Sequence, residues 1–181
     1  MKVHYYTQNK ALLAYIDLLG TKTLYIKNTE PLEDMARRLF EPLLAVFNVE
    51  FQNSFSEQEI RDNFCVSIYS DSIMICSKVD TADIIEKLIS FLLKFQHEAI
   101  FGISDRYRVP FRALIDREPY FFIRFEQPEE GSILQSKYTT SSLLGGRGMV
   151  VMDTKLKKLP VGIYVSEKIK NELIAEIQKR A

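Results

Sequence analysis

Apolar and polar residues alternate along this chain in blocks whose period changes from segment to segment. Ala11-Leu12-Leu13-Ala14-Tyr15-Ile16 is an unbroken apolar run ended by Asp17, which predicts a buried strand over 11–17. Gly20-Thr21-Lys22 then turns the chain toward a helix near 21–28. Thr29 and Pro31 form a helix start, and Leu32, Met35, Ala36, Leu39, Phe40, Leu43, Val46 and Phe47 follow at 3.6-residue spacing, with Pro42 expected to kink or divide the helix. The polar stretch 48–63 reads as a loop or a frayed extension of that helix.

Two apolar strands flank Ser70-Asp71 within Phe64–Cys76, a hairpin pattern, and Asp80 is placed to cap a long helix with Ile84, Leu88, Phe91, Leu92, Phe95 and Ala99 on one face, ending near Gly102. Val109–Ile115 and Tyr120–Phe125 read as neighbouring strands separated by a turn at Asp116-Arg117-Glu118-Pro119. After a loop at 128–131, the segment 141–148 leads into a helix over 148–158 that Pro160 ends. A short strand over 161–165 and a last helix, capped by Ser166 and carrying Ile169, Leu173, Ile174 and Ile177, complete the chain. Strands and helices that alternate imperfectly around one hairpin predict an α+β sandwich: a mostly antiparallel sheet covered by helices, since a two-residue hairpin loop is too short for a parallel crossover.

Composition narrows the function classes. The chain has 181 residues, 46% of them hydrophobic, enough for the core of one domain spanning 1–181. Its 24 basic and 24 acidic side chains cancel, so no overall field draws it to nucleic acid or an anionic membrane. An export signal and a run long enough to span a bilayer are both missing from the pattern, and the expected compartment is the cytoplasm. Cys65 and Cys76 lack zinc-ligand spacing and sit symmetrically about the hairpin, where packing is the expected role; His4 and His97 are expected at the surface. Walker, nucleophile-elbow and zinc-protease motifs do not occur.

The chemistry-bearing residues are Asp17 at a strand end and Asp71 at the hairpin tip. Aspartate is common in both settings, as a helix cap and as a turn residue. Carboxylates about 4 Å apart repel by roughly 4 kcal/mol at an effective dielectric near 20, and a divalent cation between them reverses the sign, so a shared metal is the functional reading. Backbone N–H groups of Leu18, Leu19, Gly20, Thr21 and Lys22 are candidates for receiving phosphate oxygens at a helix start.

Ala14-Tyr15-Ile16-Asp17-Leu18-Leu19-Gly20, followed by Tyr69-Ser70-Asp71-Ser72-Ile73-Met74-Ile75, resembles the class III nucleotidyl cyclases, and most of all the compact bacterial pyrimidine cyclases of Pycsar antiphage defence. The resemblance implies a ferredoxin-like, palm-like sandwich with two Mg²⁺ or Mn²⁺ ions held by Asp17 and Asp71. It implies conversion of a nucleoside triphosphate, UTP or CTP, to a 3′,5′-cyclic monophosphate and pyrophosphate in antiviral signalling. It further implies a homodimer whose sites span the interface. Those cyclases place an Asn and, four residues later, an Arg on a late helix; here Val151 and Lys155 align with them, so the cation is kept and the amide is lost. Arg112, Arg147 and Lys155 are the candidate catalytic cations, each equally explicable as a surface residue. Two rivals are a noncatalytic nucleotide-binding module on a degenerate cyclase scaffold, and a palm-like phosphotransferase with the same two-metal hairpin.

Overall fold

A computed structural model describes residues 3–20, 31–69, 71–101, 108–125, 142–145 and 147–180. In chain order the elements are β1 (Val3–Leu18), α1 (Leu32–Met35), a wider π-type segment (Ala36–Phe40), α2 (Glu41–Ser54), α3 (Glu57–Asn63), β2 (Phe64–Tyr69), β3 (Ser72–Ser77), α4 (Ala82–Phe101), β4 (Phe111–Phe125), β5 (Ser142–Gly145), α5 (Arg147–Leu156), β6 (Gly162–Val165) and α6 (Glu167–Arg180). The helix expected near 21–28 and the loop at 128–131 lie outside the described residues.

The sheet runs β2-β3-β1-β4, and the far side of β4 is shared by β5 and β6. Among the described strands every pair is antiparallel except β4 with β6. This is the expected mostly antiparallel α+β sheet, and the parallel β4–β6 pair makes it a mixed one. Two expectations about its strands are corrected. β1 begins at Val3 rather than Ala11, and β4 is one strand where a turn at Asp116–Pro119 was expected, because the two long strands pair from Val3↔Phe125 to Leu18↔Phe111. The register shifts once, between Gln8 and Ala11, opposite Pro119, where a missing N–H costs the ladder nothing.

The charges that made 116–119 look like a turn are neutralised in place. Lys155 Nζ reaches Asp116 Oδ2 at 2.6 Å and Glu118 Oε1 at 2.9 Å, and Arg117 binds Asp80 and, at 2.7 Å, Glu172. Asp80 is thus a partner of Arg117 rather than a helix cap; the Ile84 N–H donates to Thr81 Oγ1 at the start of α4. The polar stretch 48–63 is also helical. Phe47, Phe51 and Ile60 are buried on α2 and α3, and Ser56 with Glu59 forms a reciprocal capping box that starts α3. Pro42 sits in the first turn of α2 just after the π-type segment, a division of the helix where its missing N–H is tolerated. A strand, β5, also forms within the stretch expected to lead directly into α5.

One face of the sheet carries the larger core. Leu12, Ala14 and Ile16 of β1, Ile73 and Ile75 of β3, and Ala113 and Ile115 of β4 pack against α2 and α4. Phenylalanines fill the space between: Phe47 meets Phe91 edge-on at 5.2 Å between ring centroids, and Phe95 stacks on Phe111 at 5.1 Å. The opposite face presents Leu13, Tyr15, Met74, Cys76, Leu114 and Tyr120, covered by Met152 and Leu156 of α5. Gly148 lets α5 lie close to β4, since a Cβ there would stand 2.4 Å from the Pro119 carbonyl oxygen.

Candidate active site

Asp17 lies on the α5 face because strand alternation places it with Leu13 and Tyr15. Its Cα partners are Ser72 on β3 and Arg112 on β4. Asp71 stands in the turn beside Ser72, and its carbonyl oxygen accepts from the Leu18 N–H at 2.9 Å. The two acids therefore occupy adjoining ends of β1 and the β2–β3 hairpin, within a residue of directly paired positions.

Arg112 is the structural centre of this corner. Its Nε and Nη2 donate to Asp17 Oδ2 at 2.8 and 2.7 Å, while Nη1 donates to the carbonyl oxygens of Lys157 and Leu159, each at 3.0 Å. The latter two follow α5, whose last carbonyls have no helical partner, so one guanidinium joins the end of that helix to the Asp17 carboxylate. Both partners are largely shielded, with 17% and 16% of their side chains exposed.

Tyr15, Ser72, Asp153 and Lys157 complete the cluster, and none of them was singled out from the sequence. The Tyr15 hydroxyl stands 3.1 Å from Ser72 Oγ and 3.4 Å from Asp153 Oδ1. A phenol has one proton and a carboxylate only accepts, so Tyr15 donates to Asp153 and Ser72 supplies its own proton to the phenol oxygen. Burial first, then the Asp153 and Asp17 charges, holds the phenol above its ordinary range and so protonated. Lys157 Nζ pairs with Asp153 Oδ2 at 2.5 Å. The available signals were the two-residue step from Asp17 back to Tyr15 and the four-residue step from Asp153 to Lys157.

The other expected site residues separate. Lys155 points to Asp116 and Glu118, four and six positions along β4 from Arg112 and thus on the order of 13 Å or more from Asp17. Arg147 is exposed at the first residue of α5. The Leu18 and Leu19 amides, expected to face phosphate, are spent on the carbonyls of Asp71 and Pro110, a continuation of the sheet past the strand end. Gly20 has φ of 85°, a left-handed conformation that glycine adopts readily. Thr21 and Lys22 lie outside the described residues.

No group of three or more His, Cys, Asp or Glu side chains is placed to hold a metal ion among the described residues. The donor set still fits Mg²⁺ or Mn²⁺, which are commonly held by one or two carboxylates with substrate phosphates and water completing the shell. Both Arg112 bonds to Asp17 end on Oδ2. Among the described residues Oδ1 has no hydrogen-bond donor. No described helix is long and apolar enough to cross a membrane.

No family model and no curated protein sequence matches the chain. Solved structures do. The catalytic core of a rhodopsin-guanylyl cyclase with converted specificity, in complex with ATPalphaS, superposes with a TM-score of 0.63 at 10% identity, covering 94% of this chain and 83% of that one. The monomeric guanylyl cyclase domain of the RhoGC fusion protein from the aquatic fungus Blastocladiella emersonii gives 0.63 at 12% identity, over 97% and 90%. The adenylyl cyclase CyaB from P. aeruginosa gives 0.55 at 12% identity, over 98% and 84%. The RhoGC domain is also known as a dimer. At such identities the likeness speaks to architecture: this chain has the fold of the class III cyclase catalytic domains.

Proposed function

We propose that the chain is a nucleotidyl cyclase that converts a nucleoside triphosphate to a 3′,5′-cyclic monophosphate and pyrophosphate. The observation that carries this reading is the position of Asp17 and Asp71 at adjoining ends of β1 and the β2–β3 hairpin, within a fold shared with guanylyl and adenylyl cyclase domains. Two divalent ions, Mg²⁺ or Mn²⁺, would supply the acidity of the ribose 3′-hydroxyl and the neutralisation of departing pyrophosphate. Asp17 and Asp71 would supply the anionic oxygens for such ions. Arg112, whose side chain already lies on Asp17, is a cation beside phosphate bound there, and Gly20, Thr21 and Lys22 are the residues proposed to receive phosphate oxygens. The 3′-oxygen forms its bond to the α-phosphorus as the bond to pyrophosphate breaks, and the hydroxyl proton passes to water.

UTP or CTP as substrate, and a role in antiviral signalling, are supported by the likeness of the Asp-Leu-Leu-Gly and Ser-Asp-Ser segments to the Pycsar cyclases. The proposed assembly is a homodimer in the cytoplasm, in which α5 offers Arg147 to a partner's site. Lys155 could serve there only after leaving Asp116 and Glu118. Val151 at the expected Asn position favours a second reading, a nucleotide-binding module without turnover.

Incubation with ATP, GTP, CTP and UTP separately, with Mn²⁺ and mass spectrometry of the products, tests the proposal. A cyclic product that is lost in both Asp17→Ala and Asp71→Ala supports it. Saturable triphosphate binding with no product from any of the four would leave the binding module in its place.

A further inference from the structure

We propose that Lys157 is the cation this chain itself brings to a triphosphate at Asp17, with Asp153 and Tyr15 as the residues that position it; the inference rests on the cyclase reading of the same site. Three lysines stand at the end of α5: Lys155 and Lys158 line one cavity beside Asp116, while Lys157, whose N–H still bonds the Asp153 carbonyl in helical fashion, turns away from Lys155, since two residues subtend about 200° around the axis. Lys155 turns toward β4, between Asp116 and Glu118. That group carries a net negative charge, with its one ammonium already shared by two carboxylates, so it repels a polyanion.

Lys157 turns the other way, toward β1. Its carbonyl oxygen is bonded to the guanidinium that also binds Asp17, which puts the Lys157 backbone on the order of 7 Å from that carboxylate, within the reach of a lysine stem. Its ammonium is held by Asp153, and Asp153 is held in turn by the Tyr15 hydroxyl, two residues before Asp17 on the same strand face. The Asp153 pair is exposed on the lysine side, with 64% of the Lys157 side chain open. An exposed ion pair is worth little, so exchange of one Asp153 oxygen for phosphate oxygens is inexpensive. An ammonium suits a triphosphate because it is a compact charge with three donors that can follow a phosphate chain without a fixed approach angle.

The placement also makes this part of the site complete within one chain. The carboxylate of Asp17, the guanidinium of Arg112 and the Lys157 ammonium belong to a single protomer, whether or not a partner adds further groups.

Inorganic tripolyphosphate with Mn²⁺ is the probe, because it reports on the phosphate site without a base or turnover. By calorimetry Lys157→Ala should weaken its binding about tenfold and flatten the salt dependence, while Lys155→Ala changes it by less than about twofold and Lys157→Arg restores most of the loss. Asp153→Ala should weaken binding about threefold, with recovery in Asp153→Glu. Equal binding by Lys157→Ala and wild type at low salt, or no binding by wild type, overturns the proposal. Where wild type forms product, mixing Asp17→Ala with Lys157→Ala chains adds a second arm: product no greater than that of the two variants apart supports supply within one chain, and product restored above it overturns the proposal. Should wild type bind tripolyphosphate through Lys157 yet form no cyclic nucleotide, the cyclase reading fails and the Lys157 assignment stands.

Discussion

Arg112 and Asp17, 95 residues apart in sequence, face each other on neighbouring strands and share two hydrogen bonds to one carboxylate oxygen. The remaining Nη1 of Arg112 closes the end of α5. Arg112→Ala removes four bonds at once and leaves a shielded carboxylate and two carbonyls unpaired. It should lower the unfolding free energy by about 2–4 kcal/mol, read from urea transitions with unchanged slope. Arg112→Lys should recover little of this, because one ammonium cannot span both groups.

Gly148 touches the β4 backbone where any side chain would collide. Gly148→Ala should push α5 away from Pro119 and Glu118 and destabilise the protein by about 1–3 kcal/mol, although alanine is the better helix former. A thermal midpoint at or above that of wild type would show that the helix tolerates the shift.

Acid stability should depend on Glu59. The Lys87 ammonium, then the Ser56 amide and hydroxyl, hold its carboxyl down to about 2 from a usual 4.5. A carboxylate depressed in the folded state stabilises above its unfolded value and loses that contribution as pH falls through the folded one. The stability gap between wild type and Glu59→Gln should thus be full near pH 6 and shrink from pH 4.5 to about 2. Denaturation at a series of pH values measures it.

The alkaline limb should involve Cys76. Burial pushes this thiol well above its ordinary value of 9.0, and Cys65 lies directly opposite it in the hairpin. The unfolded chain ionises first, so stability present below pH 9 declines as pH rises beyond it. Cys76→Ala should flatten that decline, and an aromatic disulfide reagent should label wild type at the rate of unfolding rather than at the rate of an exposed thiol.

Sequence alone determined the parts whose cause is local. The hairpin between Phe64 and Cys76, the buried stripe of α4 and the strand ending at Asp17 follow from periods of 2 and 3.6, and the structure contains each of them. The Ser56–Glu59 box was equally local, and the polarity around it obscured a helix that the spacing encodes. What only the tertiary structure decided depends on charges that meet across long separations. Asp116–Glu118 read as a turn until Lys155, Asp80 and Glu172 neutralised them inside one continuous strand. Arg112 met Asp17, and Lys157 paired with Asp153 while Lys155 paired with Asp116 and Glu118, because strand register and the rotation of α5 fix which face each residue occupies. A chain carries its own periodicities, whereas a charge is assigned its partner by the packing of distant elements.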